Sequence, residues 1–323
     1  MEKEILYGCE VPGMWDIFNN LLVVAGQVVT LFLLMGVGFF LFKKSRLSSE
    51  TLGQLSFLLL YIVIPCVIID SLQVEPDEAL LRNMLLMFLL TAGYYVVFCS
   101  LLPLLFRSSP EDTRAVLRFG TVYANNGFMG IPLLQAVLGP STAIFAVVAT
   151  VTFNISQWTH GVILMSGRKR LSIRQALLNP GTVGLAVGLV LFLSGLRLPS
   201  MVGNAVGFIA DLNTPLAMVV IGGQMARTNL GSTFRRPDLY AVSILKLVAI
   251  PAVTALVLLP FHLPPLVYCS MVILAGTPTA GTSSILAQQF GRDAGSAAQM
   301  VTLSTLLSVL TLPVVAVAAN LLS

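Results

Sequence analysis

Apolar runs of about 20 to 25 residues alternate with short polar connections along the whole chain. A helix needs about 20 apolar residues to cross a bilayer, whereas a transmembrane barrel strand needs about ten residues of alternating polarity. The run lengths therefore predict membrane-spanning helices and no soluble domain. We place ten spans near 17–42, 49–70, 80–106, 113–138, 141–165, 179–196, 203–226, 238–260, 264–290 and 294–321.

Composition supports lipid as the solvent for most of the surface. Hydrophobic residues make up 56% of the chain and charged residues only 10%, against roughly a quarter charged residues in soluble domains. In lipid, backbone polar groups must bond within the segment, which favours helices. The sequence thus predicts an all-α integral membrane protein whose spans are in contact with the bilayer. The net charge of +4 does not indicate a nucleic-acid partner.

The basic residues are divided unequally between the two sides of the predicted membrane. Fourteen fall on one side and three on the other, and positive loops stay in the cytoplasm. The larger set is Lys43, Lys44, Arg46, Arg107, Arg114, Arg118, Arg168, Lys169, Arg170, Arg174, Arg227, Arg235, Arg236 and Arg292; the smaller is Lys3, Arg82 and Arg197. We therefore expect a multi-pass protein of the cell membrane with both termini extracytoplasmic.

The first 16 residues carry four acidic side chains and one lysine. A signal peptide begins with a positively charged region, and its apolar core is shorter than the 17–42 run. We therefore interpret residues 1–16 as an extracytoplasmic segment and 17–42 as a true span.

An internal repeat divides the ten spans into halves. The stretch 133–139 resembles 285–291 at an offset of 152 residues. Pro65 in span 2 corresponds to Pro215 in span 7, and Pro103 to Pro260 in spans 3 and 8. Because five is odd, the second half enters from the opposite side, which makes an inverted repeat of the kind common in secondary transporters. We assign 17–165 and 176–323 to the two repeats, and 166–175 to a cytoplasmic linker.

Spans 4 and 9 are both interrupted near mid-membrane by glycine, proline and small polar residues, within 123–132 and 275–284. Glycine and proline weaken a helix interior by about 1 and 3 kcal/mol, and freed backbone groups at this depth need protein or a wet cavity to satisfy them. An ordinary kink would explain a single interruption, since proline and glycine are commoner in membrane helices than in soluble ones. Two interruptions at equivalent positions of two repeats favour a binding site at the two broken helices.

Each broken helix creates a new N-terminus inside the membrane. Pro132 suits the first helical position of the outgoing half of span 4, and Thr282, Ser283 or Ser284 suits the cap in span 9. Each N-terminus carries about half a positive charge, so two of them together favour an anion. The opposed C-terminal ends suit a cation.

The chain resembles the auxin efflux carrier family, in particular its short bacterial members. The resemblance is carried by Asn125 and 129–134 in span 4 and by the pair 179–180 that opens span 6. It is also carried by Asp211 and 215–218 with Gly222 in span 7, and by Pro278 with 285–287 in span 9. It implies five-plus-five inverted repeats, crossing of helices 4 and 9, elevator-like alternating access and organic anions such as malonate, malate or auxin as substrates. The fold it implies is similar to that of the bile acid sodium symporters. The long central loop of many plant members is absent here.

These arguments select the candidate site residues. For substrate binding they are Asn125, Asn126, Gly127, Gly130, Pro132, Asn179, Thr277, Pro278, Thr279, Thr282, Ser283 and Ser284. For ion or proton coupling they are Asp70, Asp211, Lys246 and Gln288. Lys246 lies deep in span 8, and both a functional charge and a structural pair with Asp211 are open interpretations.

The leading hypothesis is a secondary carrier of small organic anions. A channel or a non-transporting sensor on the same scaffold is the alternative. We expect no enzyme activity, because no cluster of catalytic groups is visible at membrane depth. We also expect no cofactor and no resident metal, while coupling to Na⁺ or H⁺ and assembly as a homodimer stay open.

Overall fold

The computed structural model describes residues 14–75, 77–167 and 180–323. The first 13 residues, most of the predicted linker 166–175 and the candidate residue Asn179 lie outside these ranges. Within them the chain is helical, and the one β-type pairing is an isolated bridge between two loops.

Twelve main helices form in the described residues. In chain order they are α1 Met14–Lys43, α2 Ser49–Ser71, α3 Glu78–Leu104, α4 Glu111–Val122, α5 Asn126–Leu138, α6 143–166, α7 Pro180–Ser194, α8 Ser200–Arg227, α9 Pro237–Phe261, α10 Pro265–Ala275, α11 Thr282–Gln289 and α12 Ala294–Leu322. The bounds agree with the predicted spans to within a few residues, and predicted spans 4 and 9 each contain two helices.

Five of these helices, α2, α3, α8, α9 and α12, are long and apolar enough to cross a membrane by length and composition. Shorter apolar helices accompany them, including α5, α7 and α10. Many large apolar side chains lie on the outside of the molecule, for example Val96, Phe208 and Leu310, each more than 70% exposed. Such an apolar exterior fits a multi-pass membrane protein.

Three of the helices contain a π-helical turn directly before an Ile-Pro pair. The turns are 59–63 in α2, 126–130 in α5 and 245–249 in α9, and Ile64-Pro65, Ile131-Pro132 and Ile250-Pro251 follow them. Proline has no N–H to donate and its ring clashes with the carbonyl four residues back. Widening the preceding turn by one residue relieves that clash while the helix continues.

Helix packing divides the molecule into two groups. Helices α1, α2, α7 and α8 pack extensively on one another, and α3, α6, α9, α10, α11 and α12 form a second set around α4 and α5. The closest approach is between α1 and α8. A Cβ atom on Gly38 would lie 1.9 Å from the carbonyl oxygen of Val219, and one on Gly222 would lie 1.8 Å from that of Met35. Only glycine permits backbones to touch in this way.

Candidate functional site

The two helix interruptions contact each other through their backbones. Residues 123–125 separate α4 from α5, and residues 276–281 separate α10 from α11. The Asn125 amide donates to the Pro278 carbonyl at 2.8 Å, and the Ala280 amide donates to the Tyr123 carbonyl at 2.9 Å. These bonds form one antiparallel bridge centred on Ala124 and Thr279. We call the two interruptions and their bridge the crossing.

Threonine hydroxyls extend the connection beyond the bridge. The Thr279 hydroxyl donates to the Gly120 carbonyl at 2.8 Å, and the Thr279 amide donates to the Ser304 hydroxyl of α12 at 3.2 Å. The Thr277 hydroxyl donates to the Leu274 carbonyl at 2.8 Å and lies 3.4 Å from the Asn126 side-chain oxygen. Buried backbone groups freed by the interruptions therefore find partners in the opposite interruption or in a neighbouring helix.

The N-terminus of α5 lies earlier than we expected. Helical geometry begins at Asn126 with the π turn, whereas Pro132 is the second residue of the α-helical part. The amides of Met129 and Gly130 both donate to the Asn125 carbonyl, at 3.2 and 3.0 Å. The prediction that Pro132 opens the outgoing helix was therefore wrong by six residues, because a π turn precedes the proline inside the helix, although Pro132 does lie in the first turn of the α-helical part.

The N-terminus of α11 has no side-chain cap. The predicted capping by Thr282, Ser283 or Ser284 does not form. Instead the Thr282 hydroxyl donates to the Gln157 side-chain oxygen of α6 at 2.5 Å. The Ser283 hydroxyl is fully buried and has no hydrogen-bond partner among the described residues. A buried hydroxyl without a partner at an uncapped helix N-terminus is a donor ready for an anion.

Helices α4 and α10 end at the crossing, and their last carbonyl groups accept hydrogen bonds from two other side chains. The Tyr94 hydroxyl of α3 donates to the carbonyl of Val122, the last residue of α4, at 3.0 Å. The Lys246 ammonium of α9 donates to the carbonyl of Ala275, the last residue of α10, at 2.8 Å. The same ammonium donates to the Tyr94 hydroxyl at 3.2 Å.

The crossing is closed in this conformation. Its cavity is about 10 Å³ in volume, close to the smallest space that holds one water molecule. Thr91, Tyr94, Tyr95, Ala124, Asn126, Met271, Leu274 and Ala275 line it. The lining combines apolar side chains with hydroxyl and amide groups, as small-molecule sites do.

Most candidate residues predicted from sequence meet at the crossing. Asn125 and Asn126 are buried there, and the Asn125 side chain makes no hydrogen bond to the described residues. Gly130 lies against α10, since a Cβ on it would come within 2.5 Å of the Leu274 side chain. Gly127 has more room, with its nearest such neighbour at 3.5 Å. Ser284 is half-buried in the first turn of α11.

Three coupling candidates lie away from the crossing. Asp211 and Asp70 are both exposed, and their carboxyl groups are close enough to influence each other electrostatically. The alternative of a Lys246–Asp211 pair is therefore wrong, because Lys246 contacts Tyr94 and Ala275 instead. Gln288 is exposed near the end of α11.

The sequence arguments missed several site residues. Tyr94 and Tyr95 of α3, Asn213 of α8 and Ser304 of α12 are all buried at or beside the crossing. Asn213 donates to the Gly127 carbonyl at 3.5 Å, and its side-chain oxygen has no partner among the described residues. Each is a polar side chain within an apolar helix, and that signal could have identified them.

Comparison with known proteins gives a family match and one relative that covers most of the chain. A family model described as "Membrane transport protein" matches residues 23–316. A protein of Rhizobium meliloti (strain 1021) named "Putative malonate transporter" is 25% identical over 304 residues, covering 89% of this chain and 93% of that protein. The match over almost the whole chain establishes that the protein belongs to the membrane transport protein family, the auxin efflux carrier family that its sequence resembles.

Proposed function

We propose that the protein is a secondary carrier of small organic anions, with compact dicarboxylates such as malonate as preferred substrates. One observation carries the proposal. Two helices, α5 and α11, begin at a bridged crossing that contains buried amides and an unpartnered hydroxyl. No acidic residue occurs in 119–135 or 270–292. The crossing therefore offers hydrogen-bond donors and helix dipoles to a negative ligand without a competing carboxylate.

The expected strength of this attraction is moderate. One helix N-terminus contributes about 0.3 to 2 kcal/mol to binding a negative group. Two N-termini that each contribute a value near the middle of this range give about 1.4 to 2.8 kcal/mol together, which corresponds to a preference of roughly ten- to a hundredfold for an anion over a neutral molecule of the same shape. The name of the Rhizobium relative supports malonate as the first substrate to test.

We propose the ten-span inverted repeat as the architecture, and reciprocal packing supports it. The first and second spans of the two halves correspond to α1, α2, α7 and α8. Helix α1 packs closely on α8, and α7 packs on α2, where a Cβ on Gly184 would lie 2.8 Å from Pro65. If the two halves of the chain are exchanged, the α1–α8 pair becomes the α7–α2 pair. The antiparallel bridge at the crossing has the same local two-fold relation.

Alternating access by an elevator-type movement fits the division into two helix groups. The crossing belongs to the group that contains α3, α6, α9, α10, α11 and α12. The α1–α8 contact, with glycines against backbone on both sides, makes the other group a rigid support. The closed cavity must open before a dicarboxylate can enter or leave, and an elevator-type movement is the opening that we propose.

The charge distribution supports an orientation with both termini extracytoplasmic. A reporter that works only in the cytoplasm, attached after Ser323, should be inactive. Activity of that reporter would reverse the orientation.

Competition in proteoliposomes tests the substrate class. Uptake of radiolabelled malonate by the purified protein should saturate, and unlabelled malonate should compete about ten- to a hundredfold better than malonamide, its neutral analogue of similar shape. Equal competition by acid and amide would show that the crossing is not an anion site. Flux that does not saturate would favour the channel alternative.

A further inference from the structure

Lys246 is a fully buried lysine without an acidic partner. Its side chain has no exposed surface, and none of the ion pairs among the described residues includes it. An ionised group away from water is expensive unless other groups compensate it, and a charge inside a membrane span is a functional hypothesis by default. The contacts of the ammonium therefore indicate what it does.

The Lys246 ammonium is connected by hydrogen bonds to the C-terminal carbonyl groups of both α10 and α4. It donates directly to the carbonyl of Ala275 at the end of α10. It also donates to the Tyr94 hydroxyl, which in turn donates to the carbonyl of Val122 at the end of α4.

These two ends are the negative poles of the crossing. The C-terminus of a helix carries about half a negative charge. In broken-helix transporters such ends, with unwound carbonyls, are where a coupling cation is coordinated. Here the Lys246 side chain of the protein itself lies at that position, in hydrogen-bond contact with the Ala275 carbonyl. The π turn 245–249 that carries Lys246 lies inside α9.

We propose that the Lys246 ammonium is the resident cation of the crossing and takes the place that a coupling ion would otherwise occupy. This inference rests on the proposed transport of organic anions and deepens it. It has two consequences. Transport needs no Na⁺, and the second negative charge of a dicarboxylate is compensated by Lys246, so that the lysine sets the preference for dianions over monoanions.

The first arm of the test measures cation dependence on the purified wild-type protein. The melting temperature, with and without malonate, should be the same in sodium, potassium and choline chloride at equal ionic strength. A specific rise in Na⁺ would show that a separate cation site exists, because a ligand that binds only the folded state raises its stability. That result would overturn the proposal even if no transport substrate were found.

The second arm compares Lys246→Met with Lys246→Arg. The preference for malonate over malonamate, the monoamide with one negative charge, should fall by about tenfold or more in the methionine variant and persist in the arginine variant. A purely structural lysine would lower uptake of both compounds equally, and an unchanged ratio in Lys246→Met would overturn the proposal. Lys246→Met also removes the donor to the buried Ala275 carbonyl, so size-exclusion profiles and melting temperatures of both variants confirm folding before uptake is compared.

The third part of the test is a control for the loss of a positive charge elsewhere in the protein. Lys44→Met removes a lysine that is exposed after α1, and it should leave the malonate-to-malonamate ratio unchanged. If wild-type protein transports neither compound in any buffer, the proposed function fails, and the first arm still decides whether the crossing holds a separate cation.

Discussion

The two interruptions of the crossing perform the same structural task with different chemistry. The first, 123–125, is short, and its partners are aromatic: the Tyr123 ring stacks on Phe119 at 4.2 Å and on Tyr95 at 5.6 Å. The second, 276–281, is twice as long and uses threonine hydroxyls. Both interruptions bury backbone groups that have lost their helical partners, and in both of them such groups form hydrogen bonds elsewhere.

The difference concerns the helix that follows each interruption. Helix α5 starts with a π turn whose amides are partly satisfied by the Asn125 carbonyl. Helix α11 starts without a side-chain cap and with the unpartnered Ser283 hydroxyl. The amides of Ser283 and Ser284 also donate within the backbone, to the carbonyls of Ala280 and Gly281. The two helix starts therefore differ in the Ser283 hydroxyl, which gives the second interruption a free donor for a ligand. Substitutions in the two interruptions should separate these roles.

The largest effect is expected at the start of α11. Ser283→Asp places a carboxylate in a fully buried position where the anion is proposed to bind, and uptake of malonate should fall by at least about a hundredfold. Ser284→Asp, one residue further into α11, should act in the same direction. The measurement is initial uptake in proteoliposomes, with size-exclusion profiles to confirm folding.

Ser283→Asn is the matched control, because asparagine has the size of aspartate without its charge. Partial uptake is expected from this variant. If asparagine abolished uptake as completely as aspartate, the loss would come from volume, and the proposed anion site at this helix end would lose its main support.

The next largest effect separates the two neighbouring asparagines of the first interruption. The Asn125 side chain is buried without a hydrogen bond to described residues, whereas the Asn126 oxygen faces the Thr277 hydroxyl. Hydrogen bonds to charged groups contribute about 1.5 to 3 kcal/mol, so Asn125→Ala should weaken malonate affinity about tenfold or more and leave the melting temperature near that of wild type.

Asn126→Ala should instead lower the melting temperature as well as uptake, because it removes a contact between the two interruptions. Affinity and melting temperature are measured on the same purified samples. Unchanged affinity and rate in Asn125→Ala would remove that residue from the site.

The sequence was sufficient to predict the helices and the position of the crossing. Span length is set by bilayer thickness, and glycine and proline near the middle of two apolar runs mark backbone that cannot stay helical. For this reason the bounds of α2 and α12 were predicted within two residues, and both interruptions were placed correctly.

Contacts between distant parts of the chain were not predictable in the same way. The Lys246–Tyr94 contact joins residues 152 positions apart, and no local pattern specifies it. The π turns before Ile-Pro pairs also escaped prediction, because proline inside a helical run indicates a break or a kink and a π turn is a third solution. At Pro132, the π turn before the proline places the start of α5 at Asn126 instead.

The smallest effect is expected from Thr279→Val, which tests how much the hydroxyl connections stabilise the crossing. Because α4 ends at Val122, the Gly120 carbonyl lies in its last turn and lacks an intrahelical partner. The Thr279 hydroxyl supplies that partner, and valine has nearly the same shape without the donor. Leaving this buried carbonyl unsatisfied should cost about 1 to 3 kcal/mol and lower the melting temperature by several degrees. Thr150→Val is the matched control, since the buried Thr150 hydroxyl bonds only to the Ala146 carbonyl of its own helix, which already has a helical donor. Equal melting temperatures for the two variants would show that the hydroxyl connection is dispensable, and the backbone bridge alone would then account for the stability of the crossing.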